Sequence, residues 1–361
     1  MSQLHEILIG DCIDMMRTLP DESVHTCVTS PPYYGLRDYG VKGQIGLEET
    51  PAKFIARLVD VFREVRRVLR SDGTIWVNMG DSYARSGGTD RKVPTTAKVG
   101  STRHTLEQMG DRTSTAPAGL KEKDLMGMPW RLAFALQEDG WYLRQDIIWS
   151  KPNPMPESTR DRCTKAHEYI FLLSKSRQYY YDQDAVKEPV AASSIVRLAQ
   201  DLEQQHGSDR VPGKSNGSMK AVRARRDSFK RDDSKREQAI PGQSVGTHRP
   251  DREESAYPLD MRNKRSVWSV PTAGFKGAHF ATFPPDLIRP CILAGAPRGG
   301  VVLDPFGGAG TTSLVSMQEG RRSIICELNP EYAALARARI DSAWMDGAAQ
   351  MDVFRDSAPT A

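Results

Sequence analysis

Apolar positions recur along the chain with two distinct periods. His5–Ile9 is a short apolar run that breaks at Gly10-Asp11, and Val24–Thr29 is another that breaks at Ser30-Pro31-Pro32. Runs of this length bounded by turn residues predict buried strands. Between Pro51 and Arg70, residues Ile55, Leu58, Val59, Phe62, Val65 and Leu69 follow the 3.6-residue period, which predicts a helix stopped by Ser71-Asp72-Gly73. Gly73–Met79 then reads as a buried strand. Pro129–Gln137 predicts a helix, and Leu143–Trp149, Tyr169–Leu173 and Gln178–Tyr181 predict strands. Further on, Val301–Leu303 predicts a strand that enters Asp304–Thr312, with a helix following to about Glu319. Ser323–Cys326 predicts a strand entering Glu327, and Pro330–Ala343 a last helix.

Strands alternating with helices predict an α/β fold built on a doubly wound, mostly parallel sheet. Two stretches interrupt the alternation. Residues 84–123 lack periodicity, are rich in Gly, Ser and Thr, and carry eight Lys/Arg against four acids, as expected of a mobile loop. Residues 183–265 are polar and basic, as expected of an insertion or small module. The core is thereby divided into 1–83, 124–182 and 266–345, with 346–361 expected to be a flexible tail.

Composition narrows the class. The chain has 361 residues, 39% hydrophobic and 27% charged, typical of a soluble globular protein of about two domains. No apolar stretch is long enough for a spanning helix, and Met1–Gly10 lacks the features of a secretory signal, so no membrane partner is expected. The five cysteines include no Cys-x-x-Cys pair; a disulfide framework or structural zinc site is not expected, and a reducing cytoplasm fits. The net charge is +4, but Arg210–Arg236 alone holds ten Lys/Arg against three Asp. That block fits a polyanionic partner or a solvated charge run.

Ligands of doubly wound sheets sit beyond the carboxyl ends of the strands. The polar residues expected there are Asp11, Ser30, Asp81, Asp304 and Glu327. The loop Asp304-Pro305-Phe306-Gly307-Gly308-Ala309-Gly310-Thr311 is neither G-x-G-x-x-G nor a P-loop, and its glycines are expected to clear space for a ligand against the backbone. Glu327, on the next strand end, is placed to accept from both ribose hydroxyls of a nucleoside-type cofactor. In Ser30-Pro31-Pro32-Tyr33 two prolines stiffen the loop and remove two N–H donors, leaving Ser30 and the Pro31 carbonyl as acceptors and Tyr33 as a stacking ring. Taken singly, each motif also fits an ordinary turn with a surface side chain. Cys291 lies in an apolar-periodic stretch and reads as a core residue rather than a nucleophile.

Together these motifs resemble the amino-group DNA methyltransferases that use S-adenosyl-L-methionine. Ser30-Pro31-Pro32-Tyr33 is similar to the family's catalytic tetrapeptide and Asp304–Gly310 to its cofactor loop. The catalytic motif precedes the cofactor motif, an order that resembles the β group. Gly10-Asp11, Gly73–Asp81, Ile147–Pro154 and His279–Pro284 add to the resemblance, which covers about three quarters of the chain. It implies a seven-stranded Rossmann-like methyltransferase sheet with permuted motif order, residues 1–83 and 124–182 forming the catalytic half and 266–345 the cofactor half.

The resemblance also implies roles. Phe306, Gly307, Gly308 and Gly310, with Asp304 and Thr311, would cradle the cofactor. Glu327 would hold its ribose and Asp11 its adenine, while Phe280 and Thr282 would close the pocket. Ser30, Pro31, Pro32 and Tyr33 would receive a flipped base, with Asp81, Lys151 and Asn153 near the target pocket. Residues 183–265 would form the target-recognition region, Arg223, Arg225 and Arg226 contacting phosphates of double-stranded DNA. Neither a metal nor a covalent intermediate is implied. Serine in the tetrapeptide points to cytosine N4, with adenine N6 as the alternative; an RNA methyltransferase and a non-catalytic DNA-binding protein are the more distant readings. A homodimer and a cognate restriction endonuclease are partners the resemblance admits and the residues alone do not decide.

Overall fold

A computed structural model describes residues 4–36, 38, 40–84, 120–191, 261–272 and 283–356, with side chains of the last helix described as far as Met345. The expected site residues Phe280, Thr282, Arg223, Arg225 and Arg226, and most of the 84–123 and 183–265 stretches, lie outside the described residues. The chain divides into two compact units, residues 1–186 with 265–361, and residues 187–264.

The first unit runs β1 (His5–Ile9), α1 (Cys12–Arg17), β2 (Val24–Thr29), α2 (Pro51–Val68), β3 (Leu69–Met79), α3 (Met128–Glu138), β4 (Tyr142–Ser150) and β5 (His167–Ser174). In the second unit β6 (Glu188–Pro189) pairs antiparallel with β7 (Met261–Arg262), and Arg262 Nε bonds Glu188 Oε1 at 3.0 Å. The first unit resumes with β8 (Val267–Ser269), α4 (Pro285–Gly295), β9 (Val301–Asp304), α5 (Thr311–Gln318), β10 (Arg322–Glu327) and α6 (Pro330–Asp356). Among the described residues its sheet has eight strands, in the order β1-β10-β9-β2-β3-β5-β4-β8. All neighbours pair parallel except β5, which is antiparallel to both β3 and β4.

Strand alternation sorts the core into two layers. Cys27, Ile75, Val77, Phe171, Leu173 and Leu303 face one cluster, covered by α1, α2 and α3; Val28, Trp76, Ile170, Leu172 and Val302 face the other, covered by α4. Helix α2 begins where Thr50 caps Lys53 N at 3.2 Å and Pro51 fits the first turn. It buries Phe54, Leu58, Val61, Phe62 and Val65 completely, each contributing about 1.5–3 kcal/mol.

Four expectations need correction. The sheet has eight strands, not seven: β8 is too short to show a period, yet Val270 N bonds Ser150 O at 3.1 Å and Trp149 Nε1 bonds Val270 O at 2.8 Å, holding it to β4. Ser71-Asp72-Gly73 does not separate helix from strand but lies within β3, as an irregularity against β2. The Asp72 and Gly73 carbonyls accept from Tyr180 N and Lys175 N, so the extra residues still have partners. Those bonds hold the 175–180 segment without a ladder, and Gln178–Tyr181 is not a strand. Helix α6 continues through Asp356, because no proline stops it before Pro359.

Candidate active site at the strand ends

Register brings the functional loops together. Ile9 of β1 lies beside Glu327 of β10, and Gly10 N donates to Glu327 O at 3.0 Å. Asp11 leaves β1 as the N-cap of α1, its Oδ1 accepting from Ile13 N at 2.9 Å and its Oδ2 pairing with Arg57 at 3.0 Å. Glu327 accepts Gly308 N on Oε2 and Asn329 N on Oε1, both at 2.8 Å. Burial pushes its carboxyl above the ordinary range, and the two N–H bonds oppose that. A carboxylate has about four acceptor positions, so two remain for vicinal hydroxyls. The strand ends of β1, β10 and β9 thus offer Asp11, Glu327 and the half-buried Phe306 side by side, two acceptors and an aromatic ring that fit a nucleoside-type cofactor.

The glycines serve packing more than ligand clearance. A Cβ on Gly307 would lie 2.8 Å from Ile325, and one on Gly310 would lie 2.9 Å from Ala336 in α6. Gly310 also has φ +74°, the left-handed region that favours glycine. The loop is thereby pulled down onto β10 and α6, where Gly308 N can reach Glu327.

Asp304 is tied into the protein. It is 1% exposed, and three protein donors use its carboxylate: Thr29 Oγ1 at 2.6 Å, Phe306 N at 3.0 Å and Thr312 Oγ1 at 2.6 Å. Burial raises its pKa and the hydroxyl and N–H bonds lower it. It braces the loop from within. Thr311 is likewise buried, its hydroxyl accepting from Arg339 at 2.9 Å.

On the other side, Ser30-Pro31-Pro32-Tyr33 leaves β2 next to β3. The Tyr33 hydroxyl donates to Glu168 Oε2 at 2.7 Å. Burial first, then the Glu168 charge, holds the phenol well above the tyrosine range. Glu168 also accepts from Asn78 Nδ2 at 3.2 Å and is ion-paired with Lys151, whose ammonium lies 4.3 Å from the centre of the Trp149 ring.

Two further expected residues also have partners within the protein. Asp81 accepts from Ser82 N at 2.9 Å, Gly127 N at 3.0 Å and Met128 N at 3.1 Å, so its carboxylate caps α3. Asn153 Oδ1 accepts from Thr272 N at 2.9 Å and its Nδ2 donates to Thr272 O at 3.3 Å, extending the seam between the β4 and β8 ends. Sequence reasoning missed Glu168, Asn78, Gly80 and Lys165, whose ammonium donates to Asp81 O at 2.8 Å. The only signal for Glu168 was an acid at the mouth of a buried run.

A mostly parallel sheet carrying these two loops at adjacent strand ends defines a Rossmann-like methyltransferase. Residues 24–338 match the N6/N4 methyltransferase family, described as DNA methylase, and the chain belongs to that family. It is 44% identical to the type II methyltransferase M.Cfr9I of Citrobacter freundii, over 92% of this chain and 86% of the relative. With M.SmaI of Serratia marcescens it shares 43% identity, over 93% and 90%. Among solved structures, PvuII DNA methyltransferase, cytosine-N4-specific, superposes with a TM-score of 0.54 at 17% identity, covering 92% of this chain and 85% of that one. TTHA0409 of Thermus thermophilus, described as a candidate DNA modification methylase and complexed with S-adenosyl-L-methionine, gives 0.52 at 20% identity, covering 94% and 96%. The two likenesses establish the fold; the family match and the relatives make the chain a DNA methyltransferase. Among the described residues no helix is long and apolar enough to cross a membrane.

Proposed function

We propose that the protein methylates the exocyclic N4 of cytosine in duplex DNA, using S-adenosyl-L-methionine. The observation that carries this reading is the serine-type loop Ser30–Tyr33, tied by Thr29 to Asp304 at 2.6 Å and so to the start of the glycine loop. The cofactor supplies an electrophilic sulfonium methyl group. Glu327, Asp11, Phe306 and the Gly307–Gly310 backbone hold it, with Phe280 and Thr282 closing the site. Ser30 Oγ and the Pro31 carbonyl accept the two N–H bonds of the target amine, which draws the nitrogen lone pair out of conjugation. Alignment of that lone pair with the methyl is the main task left to the protein. The target atom is enclosed in a stacked duplex, so the base is flipped out, and Tyr33 stacks on it. A neutral serine favours cytosine, and the cytosine-N4-specific PvuII enzyme has the same fold.

Residues 183–265 read the target sequence, with Arg223, Arg225 and Arg226 on phosphates, and Lys151 on the wall of the target pocket. Neutralising the three arginines weakens DNA binding and flattens its salt dependence; unchanged affinity across a salt series removes them from the interface. A type II methyltransferase fits a cytoplasmic partnership with a cognate endonuclease and action as a monomer or homodimer.

The test is mass spectrometry of nucleosides from mixed-sequence DNA treated with the protein and methyl-labelled cofactor. N4-methylcytosine supports the reading. N6-methyladenine keeps fold and cofactor but refutes the base, and no labelled nucleoside refutes the activity on DNA.

A further inference from the structure

Among the described residues Met155 is the most exposed large apolar side chain, at 83%. Single exposed apolar side chains are normal on a protein surface. What distinguishes Met155 is where it stands and how firmly its loop is held.

Met155 lies in the 151–166 loop between β4 and β5. Because β5 runs antiparallel to both β3 and β4, β4 ends on the same edge of the sheet as β2 and β3. Both ends of the loop are fastened beside Tyr33. At its start Lys151 pairs with Glu168, which accepts the Tyr33 hydroxyl at 2.7 Å. At its finish Lys165 donates to Asp81 O at 2.8 Å, next to Gly80, where a Cβ would lie 2.7 Å from Tyr33 Cε2. Met155 is four residues from Lys151, so their Cα atoms are at most about 14 Å apart.

The loop is also braced along its length. Asn153 bonds Thr272 through both atoms of its side-chain amide. Arg162 pairs with Glu157 at 2.6 Å, and its guanidinium lies 3.9 Å from the centre of the Tyr83 ring. Pro154 and Pro156 fix the backbone on either side of Met155. Residues 151–166 carry four Lys/Arg against two acids, a balance that suits a surface laid against phosphates. An apolar side chain held rigidly on such a surface has a use. A base flipped out of a duplex leaves a gap in the stack. Proteins that deform DNA insert apolar side chains, methionine among them, between base steps. Methionine is long, unbranched and polarizable, so it fits an irregular gap.

We propose that Met155 is a wedge that enters the duplex and fills the space vacated by the flipped target base. The inference rests on the proposed transfer to a base flipped out of duplex DNA, and it holds for cytosine and adenine alike.

The substrates for the test are a duplex carrying one site that the wild type methylates, mapped by sequencing treated DNA, and the same duplex with the target base mispaired. Met155 is exposed, so Met155→Ala keeps the wild-type melting temperature. Its kcat/KM is expected to fall about tenfold or more on the paired duplex. On the mispaired duplex, where the target base leaves the stack more easily, it stays within about twofold of wild type. Met155→Leu, which keeps the apolar bulk, restores most of the rate on the paired duplex. A Met155→Ala value within about twofold of wild type on the paired duplex overturns the proposal, as does an equal loss on both duplexes, which marks a contact indifferent to flipping. A second arm needs no turnover. In 13C-methyl-methionine NMR, with Met155 assigned by its absence in Met155→Leu, binding of the paired duplex in the presence of the demethylated cofactor moves the Met155 methyl upfield, because stacked bases shield it. An unmoved resonance in the DNA-bound protein overturns the proposal. If the wild type methylates no duplex DNA, the reading of the site fails and the wedge with it; methylation that Met155→Ala leaves intact overturns the wedge alone.

Discussion

Replacing Asp304 by alanine tests the central brace of the site. The carboxylate is buried and takes three donors, the Thr29 and Thr312 hydroxyls and Phe306 N–H. In Asp304→Ala the Thr312 hydroxyl can turn to Val28 O, 3.5 Å away. That leaves two donors without their partner, at about 1–3 kcal/mol each. The variant also removes a buried carboxyl whose desolvation opposed folding, so the net loss belongs in the lower half of the sum, about 2–4 kcal/mol. Guanidinium unfolding followed by tryptophan fluorescence reads it, since Trp76, Trp141 and Trp149 are buried in the affected sheet unit. Because Phe306 N is one of the freed donors, affinity for S-adenosyl-L-methionine falls as well. A loss below about 1 kcal/mol with cofactor affinity unchanged would refute the reasoning, because three buried hydrogen bonds to one carboxylate cannot be that cheap to lose.

The same residue gives a pH signature. Its pKa is raised in the folded protein by burial, so the folded state binds the proton more readily than the unfolded one. Its contribution to stability is therefore present below the unfolded value of about 3.9 and lost as pH rises through the folded value. The stability of the wild type relative to Asp304→Asn should decline with rising pH in that window and then level off; a pH-independent difference rules the shift out. Gly310→Ala should cost about 1–3 kcal/mol for its left-handed backbone alone, and more for the 2.9 Å approach to Ala336. Gly299→Ala, with φ +76° and open space around it, isolates the backbone part in thermal melts, and equal losses would dismiss the Ala336 contact. Glu327→Ala should weaken S-adenosyl-L-methionine binding at least tenfold by calorimetry, and unaltered affinity would remove Glu327 from the cofactor site.

What was legible in the sequence follows from what short-range patterns encode. Strands β2, β9 and β10 are apolar runs because both faces of the sheet are covered, and α2 shows its period because one face alone is buried. The catalytic and glycine loops stand out because proline and glycine change the backbone itself. Strand β8 was invisible because three residues carry no period, and its place is fixed by Trp149 from elsewhere in the chain. Glu168 was invisible because its partner Tyr33 is 135 residues away. Asp304, Asp81 and Glu327 look alike as acids at strand ends. Whether such a carboxylate faces a ligand or its own backbone depends on what the adjacent loop presents. Thr29, Phe306 and Thr312 close around Asp304, Ser82, Gly127 and Met128 close on Asp81, and of the three Glu327, with two donors, keeps the most acceptor capacity.

That difference explains how two loops from distant parts of the chain can act as one site. Thr29 immediately precedes the Ser30–Tyr33 loop, and Asp304 immediately precedes the glycine loop. Their strands are direct neighbours, with Cys27 opposite Leu303 in register. The 2.6 Å bond between Thr29 and Asp304 is therefore the last rigid connection before the chain divides into its two functional loops. In a transfer that depends chiefly on aligning two reactants, an error of about 1 Å between the loops can cost on the order of a hundredfold in rate. A buried acid there stabilises the fold poorly for its charge, but it fixes that separation from both sides. The sheet thus gives up some stability at Asp304 to set the distance between the Ser30–Tyr33 loop and the glycine loop.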